Sequence, residues 1–287
     1  MPPSRPLFYL LLLTGLAMTA FAQKQGIIAD AASHTPLPFV NIYSKSNPKV
    51  GIYSGPDGKF TIPSSIQSDT LVFSLLGYQT YHVATVKKGF PDTLFLYEEP
   101  LQLATVFVKP TKKRMVRVGP SSSAGNLIMG SFMASWHVEL AALFTSKSDT
   151  PLYIESIEMY LLLNAKSSED GYVRVNLYSV GDNRLPGAPL LNRSFLVKVD
   201  ARHWRGKWHT VDVSDIQLMV PDDGLFVSIE FLPVTSSGMT SRNTGLRFGQ
   251  KYPLRAVERI GENVWRDSRV QKNKPGYSPL IRLTLSN

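Results

Sequence analysis

Gly51-Ile52-Tyr53-Ser54-Gly55-Pro56-Asp57-Gly58-Lys59-Phe60-Thr61-Ile62 is the stretch on which the fold turns. Gly55 and Gly58 supply backbone freedom, Pro56 a fixed φ, and Asp57 a side chain that caps its own turn, so the chain reverses within four residues. Phe60 and Ile62 then resume the period-2 alternation of a half-buried strand. The stretch reads as the central hairpin of a small β-sandwich. None of its side chains offers chemistry.

Upstream, Gln25-Gly26-Ile27-Ile28-Ala29-Asp30 predicts a strand ending in a turn, and Pro36-Leu37-Pro38-Phe39-Val40-Asn41-Ile42-Tyr43 a second strand whose prolines suit an edge. Beyond the hairpin, Thr70-Leu71-Val72-Phe73-Ser74, residues 79–86 and Thr93-Leu94-Phe95-Leu96 complete about seven short strands, spaced as in a small sandwich. No segment keeps a 3.6-residue period long enough for a helix.

An ordered series of motifs runs through these strands: Gly26-x-Ile28-x-Asp30, Pro36-Leu37-Pro38 with Val40-Asn41-Ile42, Asp57-Gly58-Lys59-Phe60, Leu76-Gly77-Tyr78, and Leu101-x-x-x-Val-x-Val ending at Val108. It resembles the carboxypeptidase regulatory-like domain, a family of Bacteroidetes-type envelope proteins that includes the N-terminal extension of TonB-dependent outer-membrane receptors. The resemblance covers residues 24–108, under a third of the chain. It implies a transthyretin-like seven-stranded β-sandwich. It does not imply peptidase activity, because this domain is the non-catalytic companion of certain carboxypeptidases. The residues agree: Asp57-Gly58 makes the turn, Phe60 is the inward anchor, Gly77 marks a bend with no room for a Cβ, and Tyr78 covers the neighbouring core.

Glu98-Glu99-Pro100 breaks the first unit, and residues 109–114, with Lys109, Lys112, Lys113 and Arg114, form a basic, proline-bearing connector best read as solvated. A second all-β unit follows. Residues 154–161, 172–178, 195–199, 208–213, 225–231, 246–248 and 280–285 read as strands, and residues 136–144, ambiguous between strand and helix, favour a strand. Eight strands on short loops point to a second β-sandwich, with a jelly roll among the arrangements they allow. Part of this region, around Arg174-Val175-Asn176-Leu177-Tyr178, also resembles the unassigned domain that often accompanies the first. The expected organisation is a signal peptide at 1–22, the regulatory-like sandwich at 23–97, a linker at 98–118 and the C-terminal sandwich at 119–287.

Composition narrows the functional classes. The 287 residues are 43% hydrophobic and 18% charged, the profile of a folded globular chain. Arg5, an apolar run at 7–20 and Ala20-Phe21-Ala22 make a signal-peptide pattern, so the protein is expected in the periplasm, at the outer membrane or on the cell surface. No later run of apolar residues is long enough for a transmembrane helix. With no cysteine there are neither disulfides nor a lipidated thiol. The net charge of +9 is spread over both halves, which favours a solvated basic surface over nucleic-acid binding.

The search for chemistry returns little. None of the five histidines, His34, His82, His137, His203 and His209, is followed three residues later by Glu, as a zinc carboxypeptidase requires. His209 and Asp212 have that interval on a strand pattern, where the two side chains point to opposite faces. Ser46-Asn47-Pro48-Lys49 sits in a proline-bearing loop that aligns no Ser–Lys pair, there is no Gly-x-Ser-x-Gly elbow, and Asp222-Asp223-Gly224 and Ser168-Glu169-Asp170-Gly171 read as turn caps. No Gly-rich loop precedes a helix, and no pair among the 22 acids stands out as a glycosidase couple. No cofactor and no metal is expected.

Aromatic residues are the least bland feature. Trp204-Arg205-Gly206-Lys207-Trp208-His209 sets two indoles among cations, and Trp265 lies in a later loop. Trp204, Trp208 and Trp265 form a candidate platform for a sugar ring or a protein partner, and core packing is the competing reading. The expected function is a non-enzymatic envelope protein acting as a binding, scaffolding or adhesion module, its partner another envelope protein or a glycan. Its alternatives are a carbohydrate-binding module for polysaccharide capture and a peptidase-associated accessory protein.

Overall fold

The computed structural model describes residues 24–66, 70–84, 91–99, 114–122, 127–129, 137–145, 148–163, 169–203, 206–233, 244–250, 252, 254–260, 264–273 and 275–287. The signal-peptide pattern at 1–22, Trp204 and most of the basic connector lie outside the described residues. The architecture is nearly all β, as expected.

Seven described strands build the first sandwich: β1 (Lys24–Asp30), β2 (Asn41–Ser44), β3 (Gly51–Tyr53), β4 (Lys59–Ile62), β5 (Thr70–Ser74), β6 (Tyr81–Ala84) and β7 (Thr93–Leu96). They form one sheet in the order β4-β1-β7 and another in the order β3-β2-β5-β6. Ile28, Ile42, Ile52, Phe60, Phe73 and Leu94 close the space between them. Each such side chain contributes roughly 1.5–3 kcal/mol on leaving water.

Two strand expectations need correction. β3 and β4 do not form a hairpin: β3 pairs with β2, and β4 pairs with β1 in the opposite sheet. The turn is there, with Gly58 N–H bonded to Gly55 O at 3.0 Å, and it carries the chain across the core. Gly58 explains why: at φ +76, a Cβ on it would stand 2.8 Å from the Ile28 carbonyl of β1, so the turn is seated on the other sheet. The second correction concerns residues 36–40. Pro36 makes one isolated bridge to Ala29 and the ladder begins only at Asn41, because neither proline can donate to it.

The second sandwich has fourteen described strands: β8 (Met115–Val118), β9 (Leu127–Met129), β10 (Val138–Phe144), β11 (Tyr153–Leu163), β12 (Gly171–Val180), β13 (Pro186–Pro189), β14 (Phe195–Val199), β15 (Lys207–Asp212), β16 (Leu225–Leu232), β17 (Thr244–Gln250), β18 (Ala256–Ile260), β19 (Arg266–Asp267), β20 (Tyr277–Pro279) and β21 (Ile281–Ser286). They lie in two antiparallel sheets. Sheet A runs β13-β12-β16-β10-β18-β19, with β14 also on β12, and sheet B runs β20-β17-β11-β21-β8, with β15 on β11 and β9 on β17. Leu140, Phe144, Ile157, Leu161, Val175, Ile229, Phe231 and Leu283 are among the buried residues between them.

The eight predicted strands are present, and the other six are mostly pieces of two to five residues. Residues 136–144 resolve as strand from Val138 onward, buried at every position because sheet A is covered on both faces there. β8 places residues 115–118 in sheet B, not in a linker, and the first unit continues to Glu99, whose N–H bonds Gly77 O at 2.8 Å.

Candidate functional site

The outer face of sheet A is where the two sandwiches meet. Along β12, residues 172, 174, 176 and 178 share that face, as do 226, 228, 230 and 232 along β16. Register pairs Tyr172 with Leu232, Arg174 with Glu230, Asn176 with Ser228 and Tyr178 with Phe226. It also sets Glu230 opposite Glu139 of β10, and Glu139 opposite Arg259 of β18. Four neighbouring strands therefore carry the row Arg174, Glu230, Glu139, Arg259. Two like charges directly opposite on a sheet repel, and the flanking guanidiniums relieve this.

Each member is tied down. Arg174 Nη1 donates to Glu230 Oε2 at 2.8 Å, and Arg259 Nη2 donates to Glu139 Oε2. Glu139 Oε1 also accepts from Ser228 Oγ at 2.5 Å and from Asn176 Nδ2 and Tyr178 Oη at 3.1 Å each. Glu139 is 0% and Glu230 3% exposed, so burial alone would raise both carboxyls. The facing arginines and His137 outweigh it and hold both below the usual carboxylate range. Tyr178 is pushed up, by burial first and then by the Glu139 charge.

The first sandwich completes the row. Tyr53 Oη donates to Glu230 Oε1 at 2.7 Å and lies 2.8 Å from His137 Nδ1. A phenol has one proton to give, so the imidazole carries the proton between Nδ1 and the hydroxyl. His137 Nε2 faces Glu139 Oε2 at 3.5 Å. Burial opposes a charged imidazole, but the Glu139 and Glu230 carboxylates prevail and its pKa is raised.

Beside this bond, Phe39, Tyr53 and Leu232 form a small apolar cluster with Tyr43 and Tyr172 against it. Phe39 holds φ at 55, a left-handed conformation unusual for a bulky residue, while its carbonyl accepts from Arg174 Nη2 at 2.5 Å.

Two connected hollows follow the seam. The inner one, about 260 Å³, is walled by Asn41, Tyr78 and Glu99 from the first sandwich and by Arg174, Asn176 and Arg259 from the second. The outer one, about 430 Å³, shares Leu75, Leu76, Gly77, Tyr78, Glu99 and Arg174 with it and opens past Arg193 and Leu196. Gly77 lets the two units approach: its φ is +91, and a Cβ there would stand 2.0 Å from Asn192 O. Tyr78 on the shared wall is pushed up to about 12 by burial and by the nearby Asp30 charge.

The tryptophans are placed apart. Trp208 is half-buried on the outer face of sheet B, edge-on to Tyr160 at 5.6 Å, with the Arg282 guanidinium 3.9 Å above its ring. Arg282 in turn grips Glu158 through two bonds of 2.8 Å. Trp265 instead packs on the outer face of sheet A, edge-on to Tyr178 at 5.9 Å and 4.8 Å from the Arg259 guanidinium. Trp208 and Trp265 thus face away on different sheets and share no surface; each rests on its own chain. His209 and Asp212 do lie on a strand, β15. Among the described residues no group of three His, Asp or Glu side chains is placed to hold a metal ion.

Sequence reasoning passed over Tyr53, His137, Glu139, Arg174, Asn176, Glu230 and Arg259. The available signal was Tyr172-x-Arg174-x-Asn176-x-Tyr178, a polar pair bracketed by aromatics on one strand face. Alternation alone assigns that face to solvent, and pairing register is what aligns the charges.

Comparison with known proteins agrees with the first unit. Residues 24–108 match the family model of the CarboxypepD_reg-like domain. No curated protein matches the chain. Among solved structures, the chain is similar to the cysteine protease and lectin-like domains of Cwp84, a surface layer associated protein of Clostridium difficile, at 11% identity and a TM-score of 0.41, over 83% of this chain and 45% of that one. It is likewise similar to a clostridial Cwp84 cysteine protease after propeptide cleavage, at 12% identity and a TM-score of 0.40, over 86% of this chain and 65% of that one. The chain thus spans 45% and 65% of the lengths of these two structures.

Proposed function

We propose that the protein is a non-enzymatic, exported binding module of the cell envelope, in which the regulatory-like sandwich is clamped to the C-terminal sandwich and ligand is received along their seam. The observation that carries this reading is the Tyr53–Glu230 bond on the buried Arg174, Glu230, Glu139, Arg259 row. Such a row makes sense as a clamp. Both carboxyls are held ionised and engaged by arginine, so neither is a proton donor at neutral pH; Glu230 joins the units through Tyr53, and Glu139 braces the row within the second sandwich. Export is supported by the signal-peptide pattern ahead of residue 23.

Affinity electrophoresis of the folded chain through gels containing envelope polysaccharide, with assays for new reducing ends and for peptide cleavage, tests the reading. Retardation without product supports it. Release of sugar or peptide products that is lost with Glu139→Gln or Glu230→Gln overturns it. Recovery of the chain from the cytoplasmic fraction with residues 1–22 intact overturns the exported part.

A further inference from the structure

The inner seam hollow contains polar atoms that the clamp leaves over. Asn176 donates its Nδ2 to Glu139, which fixes the amide with its Oδ1 turned away from that carboxylate. Asn176 Oδ1, Asn41 Oδ1 and Arg259 Nε are buried and have no hydrogen-bond partner among the described residues, and all three residues line this one hollow. Asn176 as a whole is 4% exposed. Buried polar atoms without partners are costly and uncommon, so two acceptors and one donor on residues that line one space point to an occupant whose groups both donate and accept hydrogen bonds.

The charges say what kind. Arg174 and Arg259 are balanced by Glu230 and Glu139, His137 lies between those two carboxylates, and Glu99 in the wall is exposed to solvent, so the lining holds no uncompensated buried charge for an ion. Planar amide, carboxylate and guanidinium groups each present paired atoms at a spacing that suits neighbouring hydroxyls, and Leu75 and Tyr78 offer apolar surface for a ring face. At about 260 Å³ the hollow lies just under the usual ligand-pocket range of about 300–1,000 Å³, which suits one ring and not a chain. The outer hollow shares its wall and leaves room beside it for the rest of a chain.

We propose that the inner seam hollow binds the uncharged terminal sugar ring of a glycan, with ring hydroxyls donating to Asn41 Oδ1 and Asn176 Oδ1. This rests on the binding-module reading and names its ligand class.

Saturation-transfer NMR on the full folded chain with free glucose, galactose, mannose, xylose and rhamnose at millimolar concentration, and glucuronate as the charged control, tests it. At least one neutral sugar is expected to show transfer, glucuronate none. Asn176→Leu and Asn41→Leu should each weaken that binding by roughly tenfold, the loss of one hydroxyl contact. Asn41 is half-buried, so its variant stays readable if Asn176→Leu fails to fold. Transfer from no neutral sugar, as when the hollow holds ordered water alone, overturns the proposal. So does transfer that survives Asn41→Leu; if it is then lost in Trp208→Ala, the sugar sits on sheet B, and the binding-module reading stands without this site.

Discussion

The hydroxyl of Tyr53 in the first sandwich donates to Glu230 of the second across 2.7 Å, so one proton ties together residues 177 positions apart in the chain. The bond is buried, and it ends on a carboxylate already held by Arg174. Bonds to charged groups in such a setting are worth about 1.5–3 kcal/mol.

Tyr53→Phe keeps the ring among Phe39 and Leu232 but removes this donor. Its unfolding midpoint in urea should fall by the equivalent of about 1–3 kcal/mol. An unchanged midpoint would show that the hydroxyl does not clamp the units.

Arg174→Met strips Glu230 of its cation in a dry setting and should cost about 3–5 kcal/mol. Asp215→Asn breaks the exposed Arg193–Asp215 pair at 3.1 Å and should cost under about 1 kcal/mol. Calorimetry on both variants measures the contrast, and comparable losses would refute the special weight given to the buried row.

Stability should depend on pH in two opposed limbs. The Glu139 and Glu230 pKa values are lowered on folding, so their contribution is full above the unfolded carboxyl value near 4.5 and is lost as pH falls through their folded values. His137 is raised, so its contribution is full below its unfolded value of 6.5 and is lost as pH climbs through the folded value. The melting temperature should therefore be highest between about pH 4.5 and 6.5. In His137→Gln the alkaline decline should disappear while the acid decline remains.

Gly77→Ala meets both a left-handed backbone and the Asn192 carbonyl, so it should lose more than about 2 kcal/mol and separate the units. Gly276, at φ +87 with nothing within 4 Å, is the control. Gly276→Ala should lose only the backbone strain, about 1–2 kcal/mol. Chemical denaturation of the two variants distinguishes a domain contact from conformational strain alone.

Trp208→Ala and Trp265→Ala remove packing from different sheets, and each should cost about 1–3 kcal/mol. In the double variant the losses should add within about 0.5 kcal/mol, since the two sites share no partner. A larger coupling term would bring the indoles back onto one surface.

Adjacent residues alone set the local layer: Phe60 and Ile62 alternate, Gly55 to Gly58 turns, and Gly77 takes a left-handed conformation that a Cβ would strain. These follow from the covalent geometry and polarity of a few adjacent residues, as does the all-β class, whereas the regulatory-like unit was legible only through the resemblance of its motif series. Partnership came from the three-dimensional packing. Whether Ile52 and Phe60 lie in one sheet or two depends on Gly58 meeting Ile28. That Glu139 stands between Glu230 and Arg259 depends on register across strands far apart in the chain. Alternation tells which side of a strand a residue takes but not what covers that side. The first sandwich covers the Arg174 face of sheet A and Arg282 covers Trp208, and both partners come from chain segments far from the residues they cover.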